Sequence, residues 1–485
     1  MGKPNQNQLI KSSKRVPVKA LTGTLAVALL LAFTRWGSYI GIAPLFLTDV
    51  LIALAVLDRL HRNRQRIQPL EGRRSYPGII ITLFLGLVVM RALTSAGFAF
   101  SMPWLRDVTP FLYAALAFLS AASIARAAAD EQAKTMKYLW WALVAHLAWV
   151  SFVAFSGITT STLPRFPGAA VPVLTLRPDV DVAVIGVTAG LALRRILLGH
   201  KRKLSVLLLT AALATAVQFE SRAGLISVAL SLSVALIVSY ASLPKGASKK
   251  TVMVLLVPVA LFAGLAGLAQ TTAGERLIAS TFGVSSSGAH ERSAQGTQQA
   301  REMTWQGVID WTMDDTSRAL VGSGFGNDFL SQSGVLQFLQ GTDYTGVRSP
   351  HSWLVGVFAR LGLIGAALAG SILFLLARNV LRHRQKIGGN ELTVTASLIV
   401  IGFMPVALLG VVLESPFGAV PFWWAAGIVL ALSGPSPKTR RRPGVASRHQ
   451  PRRESRPLTL GSSPEAHPRH SRLSPTQLRQ TKALR

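Results

Sequence analysis

The feature that most constrains this chain is a series of long apolar blocks separated by short polar connections. A helix that crosses a bilayer needs about 20 mostly apolar residues. Blocks of roughly that length occur at 18–34, 39–57, 77–93, 108–128, 138–156, 180–198, 204–219, 223–241, 251–270, 351–377, 394–413 and 417–433. Hydrophobic residues make up 50% of the 485-residue sequence, which is more than a soluble domain of this length requires. The pattern predicts an all-α integral membrane protein with about 12 transmembrane helices.

Lysine and arginine are concentrated in alternate connections between the blocks, which predicts the orientation of the chain. Cytoplasmic connections of membrane proteins are enriched in these two residues. Basic clusters occur at 3–19, 59–74, 126–137, 194–203, 245–250, 378–386 and in the C-terminal tail. The intervening connections hold only scattered basic residues. An even number of spans returns both termini to one side, so we predict that the N- and C-termini are cytoplasmic.

The blocks and connections divide the chain into five predicted segments. These are a cytoplasmic N-terminus at 1–17, transmembrane helices 1–9 at 18–270, a large extracytoplasmic loop at 271–350, transmembrane helices 10–12 at 351–433 and a basic cytoplasmic tail at 434–485. A long connection within a compact domain usually has a function. We therefore expect the loop at 271–350 to take part in the activity.

The tail explains much of the formal net charge of +30. Thirteen Lys or Arg residues stand against two glutamates at 434–485, and this segment has no Phe, Trp or Tyr. Such a composition does not bury enough apolar surface to fold alone, and basic residues beside a membrane attract anionic headgroups. We interpret the tail as a disordered segment that contacts anionic membrane lipids, not nucleic acid. The sequence has no cysteine, which excludes disulfides and thiolate chemistry.

Two motifs stand out in the second half of the predicted loop. The stretch "AREMTWQGVIDWTMDDTSRAL" has helical periodicity, with Met303, Val308 and Trp311 on one apolar face, and it predicts a helix on the outer membrane surface. The stretch "VGSGFGND" at 321–328 has glycines spaced as in a phosphate-binding loop but lacks the Lys-Ser/Thr that follows such a loop. We interpret these glycines as permitting a tight turn against the membrane domain.

The stretch "RSPHSWLVGVFARLGLIG" places His351 at the start of an apolar block. Ser349 is a favoured N-cap residue and Pro350 suits the first helical position, so we predict that His351 lies in the first turn. The partial positive charge of a helix start favours anions and disfavours an imidazolium. A neutral imidazole there can accept a proton from a hydroxyl while a phosphate departs nearby. The alternative is an interfacial histidine without a chemical role.

Several arginines are predicted on the same outer face, where a guanidinium requires an anionic partner. They are Arg106, Arg177, Arg222 and Arg301. Arg222 follows Ser221, which can cap the span that begins there. Asp107 and Asp179 stand beside the first two arginines, so structural ion pairs are an equally reasonable interpretation of those two. Together with His351, the arginines indicate an acidic substrate bound in the membrane.

Four motifs occur in an order that resembles the O-antigen ligase and polysaccharide polymerase superfamily of bacterial membrane proteins. They are "ESRAGL", "REMTW", "LVGSGFGNDF" and "PHSWLVGVFARLGLIG". The resemblance covers roughly 90–430, and its sharp motifs lie within 219–365. Members of this family have a comparable number of helices, a large outer loop late in the chain and a histidine just after that loop. By this resemblance His351 matches the family histidine, and Arg222 and Arg301 match arginines that engage a lipid diphosphate.

The resemblance implies a metal-independent glycosyltransferase, without a cofactor, in the bacterial cytoplasmic (inner) membrane. Its donor would be a glycan linked to polyprenyl (undecaprenyl) diphosphate, and its acceptor would be a hydroxyl of a glycan or glycolipid. His351 would be catalytic, and Arg222 and Arg301 would bind the diphosphate. Arg106 and Arg177 are candidates for additional substrate contacts because of their predicted outer position, and not because of the resemblance.

A transporter or flippase of lipid-linked or anionic substrates is the alternative function. It would need ionisable residues near the middle of the membrane, for which Asp49 and Arg360 are the candidates. Arg360 stands where the family often has glutamate. It follows His351 by nine residues, which predicts a position roughly 13 Å deeper along a helix. A charge at that depth requires a partner that the sequence does not identify.

Overall fold

A computed structural model describes residues 20–42, 45–65, 75–95, 100–124, 127–167, 171–219, 221–243, 289–339 and 348–432. The predictions for the N-terminus at 1–17, the span at 251–270, the loop residues 271–288 and 340–347 and the tail at 434–485 lie outside these ranges.

Helices form most of the described structure. In chain order they are α1 Ala20–Gly37, α2 Leu47–Gln65, α3 Tyr76–Thr94, α4 Met102–Leu112, α5 Leu116–Ile124, α6 Ala129–Ser156, α7 Pro178–Leu198, α8 Arg202–Gln218, α9 Arg222–Ser242, α10 Ala289–Met313, α11 Thr316–Val321, α12 Phe329–Gln332, α13 Trp353–Arg382, α14 Arg384–Gly388, α15 Glu391–Leu408 and α16 Pro416–Ala431. Short 3-10 turns lie at Tyr113–Ala115, Thr160–Thr162, Val335–Leu339 and Val412–Glu414. The strands β1 (Gly41–Ile42) and β2 (Leu45–Phe46) form one antiparallel pair, with Gly41 opposite Phe46.

Six helices within the described ranges are long and apolar enough to cross a membrane. They are Tyr76–Thr94, Met102–Ser123, Ala129–Ser156, Arg222–Ser242, Trp353–Arg382 and Glu391–Leu408. Two further apolar helices, Gly23–Gly37 and Pro416–Ala431, are shorter. The predicted spans at α2, α7 and α8 are helical too, but α2 and α7 carry several charged residues and α8 has only 17 residues. The chain is therefore an all-α membrane protein, and six of the predicted spans meet the requirements of length and composition.

Serine N-caps explain where several of these helices begin. The side chain of Ser75 accepts a hydrogen bond from the amide of Gly78, and that of Ser101 accepts one from Trp104. A proline follows within the first two helical positions in both cases. These caps satisfy amides that the helix itself leaves without an acceptor.

The centre of the bundle is formed by α7, α9 and α15. Close contacts between α7 and α9 are made by Gly224 with Val182, Gly186 with Val228 and Gly190 with Ser231, so these two helices are parallel. Small residues at such contacts let helices approach closely in a membrane. Gly388, before α15, lies against Ser242 at the end of α9, and Gly410, after α15, lies against Asp179 at the start of α7. Thus α15 is antiparallel to both, and the starts of α7 and α9 lie at one end of the bundle, the predicted outer end.

The helix predicted over 300–320 is formed as two helices, because α10 ends at Met313 and Asp315 caps α11. The first of them, α10, packs on the membrane bundle. Val308 of α10 is fully buried, and it clusters with Ala359 of α13 and Phe329 of α12. Trp311 packs against the same cluster, as predicted, but Met303 is 44% exposed. The predicted place of Met303 on the apolar face is wrong, because the buried face of α10 contains Val308 and Met303 lies outside that face.

Candidate active site

His351 lies immediately before α13 and not within its first turn. Ser352 is the N-cap residue, since its side chain accepts a hydrogen bond from the amide of Val355 and the helix begins at Trp353. The predicted cap at Ser349 is therefore wrong. Two serines three residues apart are both good caps, and tertiary contacts decide between them.

Contacts from other elements fix the backbone on both sides of His351. The carbonyl oxygen of Pro350 accepts a hydrogen bond from Trp305 Nε1 of α10 at 2.6 Å. The amide of Trp353 donates to the carbonyl oxygen of Gly410 at 2.9 Å. Between these contacts His351 has a φ of 58°, a conformation that residues other than glycine adopt rarely. Such enforced conformations occur frequently at functional sites.

The surroundings of His351 keep its imidazole neutral. Burial lowers the pKa of His351 to about 4, and the positive charges of Arg301 and Arg177 act in the same direction, against the opposing charge of Asp179. The lowered pKa agrees with the neutral imidazole predicted from the sequence, but its main cause is burial and not a place in the first helical turn. A neutral imidazole at physiological pH can accept a proton.

Arg301 lies on α10, one helical turn before the tryptophan that contacts the His351 segment. Its side chain is partly buried, and its Nε is buried without a hydrogen-bond partner among the residues that the structure describes. A buried N–H without an acceptor is costly. An anion bound beside His351 would remove that cost, because it would supply the acceptor.

Arg177 forms the structural ion pair predicted for it. Its Nε lies 3.2 Å from Oδ1 of Asp179, and its backbone amide donates to Oδ2 of Asp181 at 2.6 Å. The pair lies at the start of α7, next to Gly410 and hence next to the His351 segment. Arg177 therefore contributes positive charge to the site while remaining paired.

Arg222 is the first residue of α9, and the predicted cap at Ser221 is confirmed. The side chain of Ser221 accepts a hydrogen bond from the amide of Gly224 at 3.3 Å. Because α7 and α9 are parallel, Arg222 lies at the same end of the bundle as Arg177. The structure thus brings Arg222, Arg177 and the His351 segment to the predicted outer end.

Arg106 is exposed on α4, whereas Asp107 beside it is buried. The structural ion pair proposed between them is not formed. Asp107 instead lies 3.1 Å from Nη2 of Arg348 and 3.5 Å from Nη2 of Arg360. Neighbouring helical residues point in different directions, so the more distant arginines meet the buried carboxylate.

Arg360 has the partner that the sequence did not identify. In addition to Asp107, Glu414 lies 3.8 Å away, between Oε2 and Nη1 of Arg360. Nη2 of Arg360 donates to the carbonyl oxygen of Arg348 at 3.1 Å. The guanidinium of Arg360 thus contacts the segment before α13, because helical side chains lean toward the helix start and a long side chain extends the charge further that way.

The glycine loop at 321–328 forms the predicted tight turn. The amide of Ser323 donates to the carbonyl oxygen of Ala359 at 2.8 Å, and that of Gly324 donates to Arg360 at 3.0 Å. These two carbonyl groups are available because α13 is broken at Gly362, where φ is 65° and ψ is −165°. Since protein acceptors occupy these amides, they do not form a phosphate cradle.

Asp49, one of the two transport candidates, lies at the start of α2. Its Oδ2 accepts a hydrogen bond from the amide of Phe46 at 3.2 Å. Asp49 therefore lies in the first turn of α2 and accepts a hydrogen bond from the residue before that helix. Its position in the apolar block had predicted a place in the middle of a helix.

A buried polar cluster that the sequence did not indicate connects α1, α6 and α7. Thr34 Oγ1 donates to Oδ1 of Asp181 at 2.6 Å. The ring nitrogens of His146 lie 3.2 Å from the carbonyl oxygens of Ala32 and Asp181. His146, Thr34 and Asp181 are each fully buried. Their separation in the sequence leaves no local signal by which to find them.

No group of three His, Asp or Glu side chains that could hold a metal ion occurs in the described part of the chain. The prediction of metal-independent chemistry is not tested by this observation.

The sequence matches no protein-family profile, and no curated protein matches it significantly.

Proposed function

We propose that this protein is a bacterial inner-membrane glycosyltransferase of the O-antigen ligase or polysaccharide polymerase type. It transfers a glycan from polyprenyl diphosphate to a hydroxyl of a glycan or glycolipid acceptor, outside the cytoplasmic membrane. The observation that carries the proposal is a neutral His351 beside the positive charges of Arg301 and Arg177, at one end of an apolar helical bundle. The motifs around Arg222, Arg301 and His351 support the same function by resemblance.

In the proposed reaction His351 acts as the general base. It accepts the proton of the acceptor hydroxyl as the new bond forms between that oxygen and the anomeric carbon. The bond from the anomeric carbon to the diphosphate oxygen breaks, and the electron pair leaves with polyprenyl diphosphate. Arg301 and Arg222 stabilise the charge that develops on the leaving group. The diphosphate is itself the activated leaving group, so no nucleotide is required.

The proposed topology has about 12 spans, with both termini cytoplasmic and the loop at 271–350 outside. The parallel course of α7 and α9 supports it, since both are predicted to run from the outer to the inner side. At the other end of these helices Arg195 pairs with Glu391 at 2.6 Å, within a basic connection. This arrangement agrees with a cytoplasmic location for that end.

The glycan profile of the native host tests the proposal. With His351→Ala, we expect lipid-linked glycan to accumulate and the mature envelope glycan to shorten or disappear, at unchanged abundance of the protein in the membrane. His200→Ala is the matched control, because His200 is exposed in the connection between α7 and α8. A normal profile for His351→Ala would refute the proposal.

The alternative of a transporter or flippase is favoured by the cluster of His146, Thr34 and Asp181, because ionisable residues buried among membrane helices commonly serve transport. Transport would be lost in Asp181→Asn and retained in His351→Ala. The glycosyltransferase proposal predicts instead that His351→Ala loses at least as much mature envelope glycan as Asp181→Asn does.

A further inference from the structure

Five charged side chains form a network beside the His351 segment. Asp107 of α4 contacts Arg348 and Arg360, and Glu414 contacts Arg360 from the turn before α16. The side chains of Asp107 and Arg360 are each 3% exposed. Asp328 lies 3.9 Å from Nη1 of Arg348, so three carboxylates surround the two guanidinium groups.

A contribution to stability alone does not explain this network. Withdrawing charges from water is costly, and apolar side chains of similar volume often stabilise a fold equally well. A buried charge network therefore favours a specific arrangement of the elements that carry it, and loss of one member leaves the others without compensation.

The arrangement that the network fixes is that of the segment at 348–352. Arg348 precedes His351 by three residues, and Nη2 of Arg348 also donates to the carbonyl oxygen of Asn327 at 3.0 Å. Arg360 binds the carbonyl oxygen of Arg348, so both the side chain and the backbone of Arg348 are held. At the other end of the segment the amide of Trp353 is bound to Gly410. His351 lies between these two attachments.

We infer that Asp107 is a positioning residue, which sets the place of His351 through Arg348 and Arg360. Asp107 is the only member of the network that contacts both arginines among the described ion pairs. Without its charge, Arg348 and Arg360 lose the carboxylate that they share. The segment before His351 is then held less firmly, because Arg348 keeps only the carbonyl groups of Gly326 and Asn327 and the more distant Asp328 as partners. The catalytic meaning of this role rests on the proposed function, whereas the position itself can be measured independently.

The absence of cysteine allows the position to be measured by labelling. His351→Cys provides a single thiol in the full-length protein in native membranes, and its reaction rate with a membrane-impermeant maleimide reports its accessibility. We expect Asp107→Asn in this background to raise the rate by about tenfold, because the segment opens locally. Asp130→Asn is the matched control, because Asp130 is exposed on α6 and is outside the network. It should leave the rate unchanged.

Two comparisons distinguish positioning through Arg348 from a general effect on folding. Arg348→Gln should raise the rate as Asp107→Asn does, and the double variant should show no further increase, because both changes break one connection. Arg348→Lys retains the cation and should restore slow labelling. A second reporter, Ser161→Cys, lies in the exposed connection before α7 and should react equally fast with and without Asp107→Asn.

An unchanged rate at His351→Cys in the Asp107→Asn background would overturn the inference. An equal increase at Ser161→Cys would also overturn it, since Asp107 would then support the whole fold. Neither result depends on glycan transfer, so failure of the proposed function and failure of this inference give different observations.

Discussion

His351 combines an unusual backbone conformation with a strongly lowered pKa. The contacts of Trp305 and Gly410 hold the backbone, while burial and the neighbouring arginines favour the neutral ring. The fixed position suits a general base, and the lowered pKa keeps the ring unprotonated while making it a weaker base than an imidazole of ordinary pKa.

The pH dependence of transfer follows from the pKa of His351. Because this pKa lies at about 4, we expect the rate to be constant near neutral pH and to fall as pH decreases through about 4. The same group should reduce stability in acid. The unfolded chain binds a proton below about 6.5, and the folded chain binds it only near 4, so its contribution to stability is lost as pH falls through this interval. A pH–rate profile checks this expectation, and an acid limb near 6.5 would contradict it.

Arg301 should affect both the charge of His351 and the leaving group. Arg301→Gln removes a positive charge, so the pKa of His351 should rise and the acid limb should move to higher pH. Loss of one donor to the developing charge should also lower the maximal rate by about 100-fold. Arg301→Lys is the control, because it keeps the charge and should leave the acid limb in place. An acid limb at the same pH in Arg301→Gln as in the wild-type protein would show that the charge of Arg301 does not affect the pKa of His351.

At the scale of elements, the break in α13 connects the glycine loop at 321–328 to the bundle. Gly322 lies against the backbone of Arg360, and Gly362 lies against the backbone of Leu320. The glycine loop thus packs where the helix is interrupted and uses the carbonyl groups that the break releases. This contact holds the network of Asp107 close to the His351 segment.

Gly322→Ala should destabilise the protein. Gly322 has φ 75° and ψ 178°, a conformation that is essentially restricted to glycine, so alanine should cost about 1–3 kcal/mol and also displace the backbone of Arg360. Gly370→Ala, in α13, is the matched control. An added Cβ there meets nothing within 4 Å, and alanine in a helix should stabilise by about 0.5–1 kcal/mol. Thermal unfolding of the purified protein in detergent compares the two, and equal midpoints would contradict the packing described for Gly322.

Local signals in the sequence predicted much of this arrangement. Contacts between residues that are far apart in the chain could not be predicted from it. Helix formation after Ala300, the cap at Ser221 and the turn at 321–328 follow from short patterns, and the structure confirms them. The start of α13 was misplaced because Trp305, 45 residues earlier, occupies the carbonyl group of Pro350. The partners of Arg360 were missed because Asp107 is 253 residues away in the chain.

At the scale of the whole molecule, the residues proposed for the chemistry lie at one end of an all-α membrane bundle. The starts of α7 and α9, the end of α15 and the segment before α13 meet there. Distribution of Lys and Arg predicts that this end faces away from the cytoplasm. A lipid-linked donor would reach it from the bilayer, and a glycan acceptor would reach it from the aqueous side.

The orientation can be tested with single cysteines. In intact cells a membrane-impermeant maleimide should label Ser161→Cys, at the predicted outer end, because this side chain is exposed. His200→Cys, which is exposed in a basic connection at the other end, should be labelled only after lysis. The reverse pattern would place the His351 end in the cytoplasm and would contradict the proposed topology.

The most direct test of the central proposal is transfer by the purified protein in vesicles that contain the lipid-linked glycan fraction of the native host. Release of polyprenyl diphosphate with formation of the acceptor-linked glycan should occur with the wild-type protein and with His200→Ala, and it should be lost with His351→Ala. Equal release by the wild-type protein and His351→Ala would show that His351 does not catalyse transfer. Native membranes supplied with the same lipid-linked fraction are the positive control. If they produce glycan but the purified wild-type protein releases no polyprenyl diphosphate, the proposed function itself is contradicted.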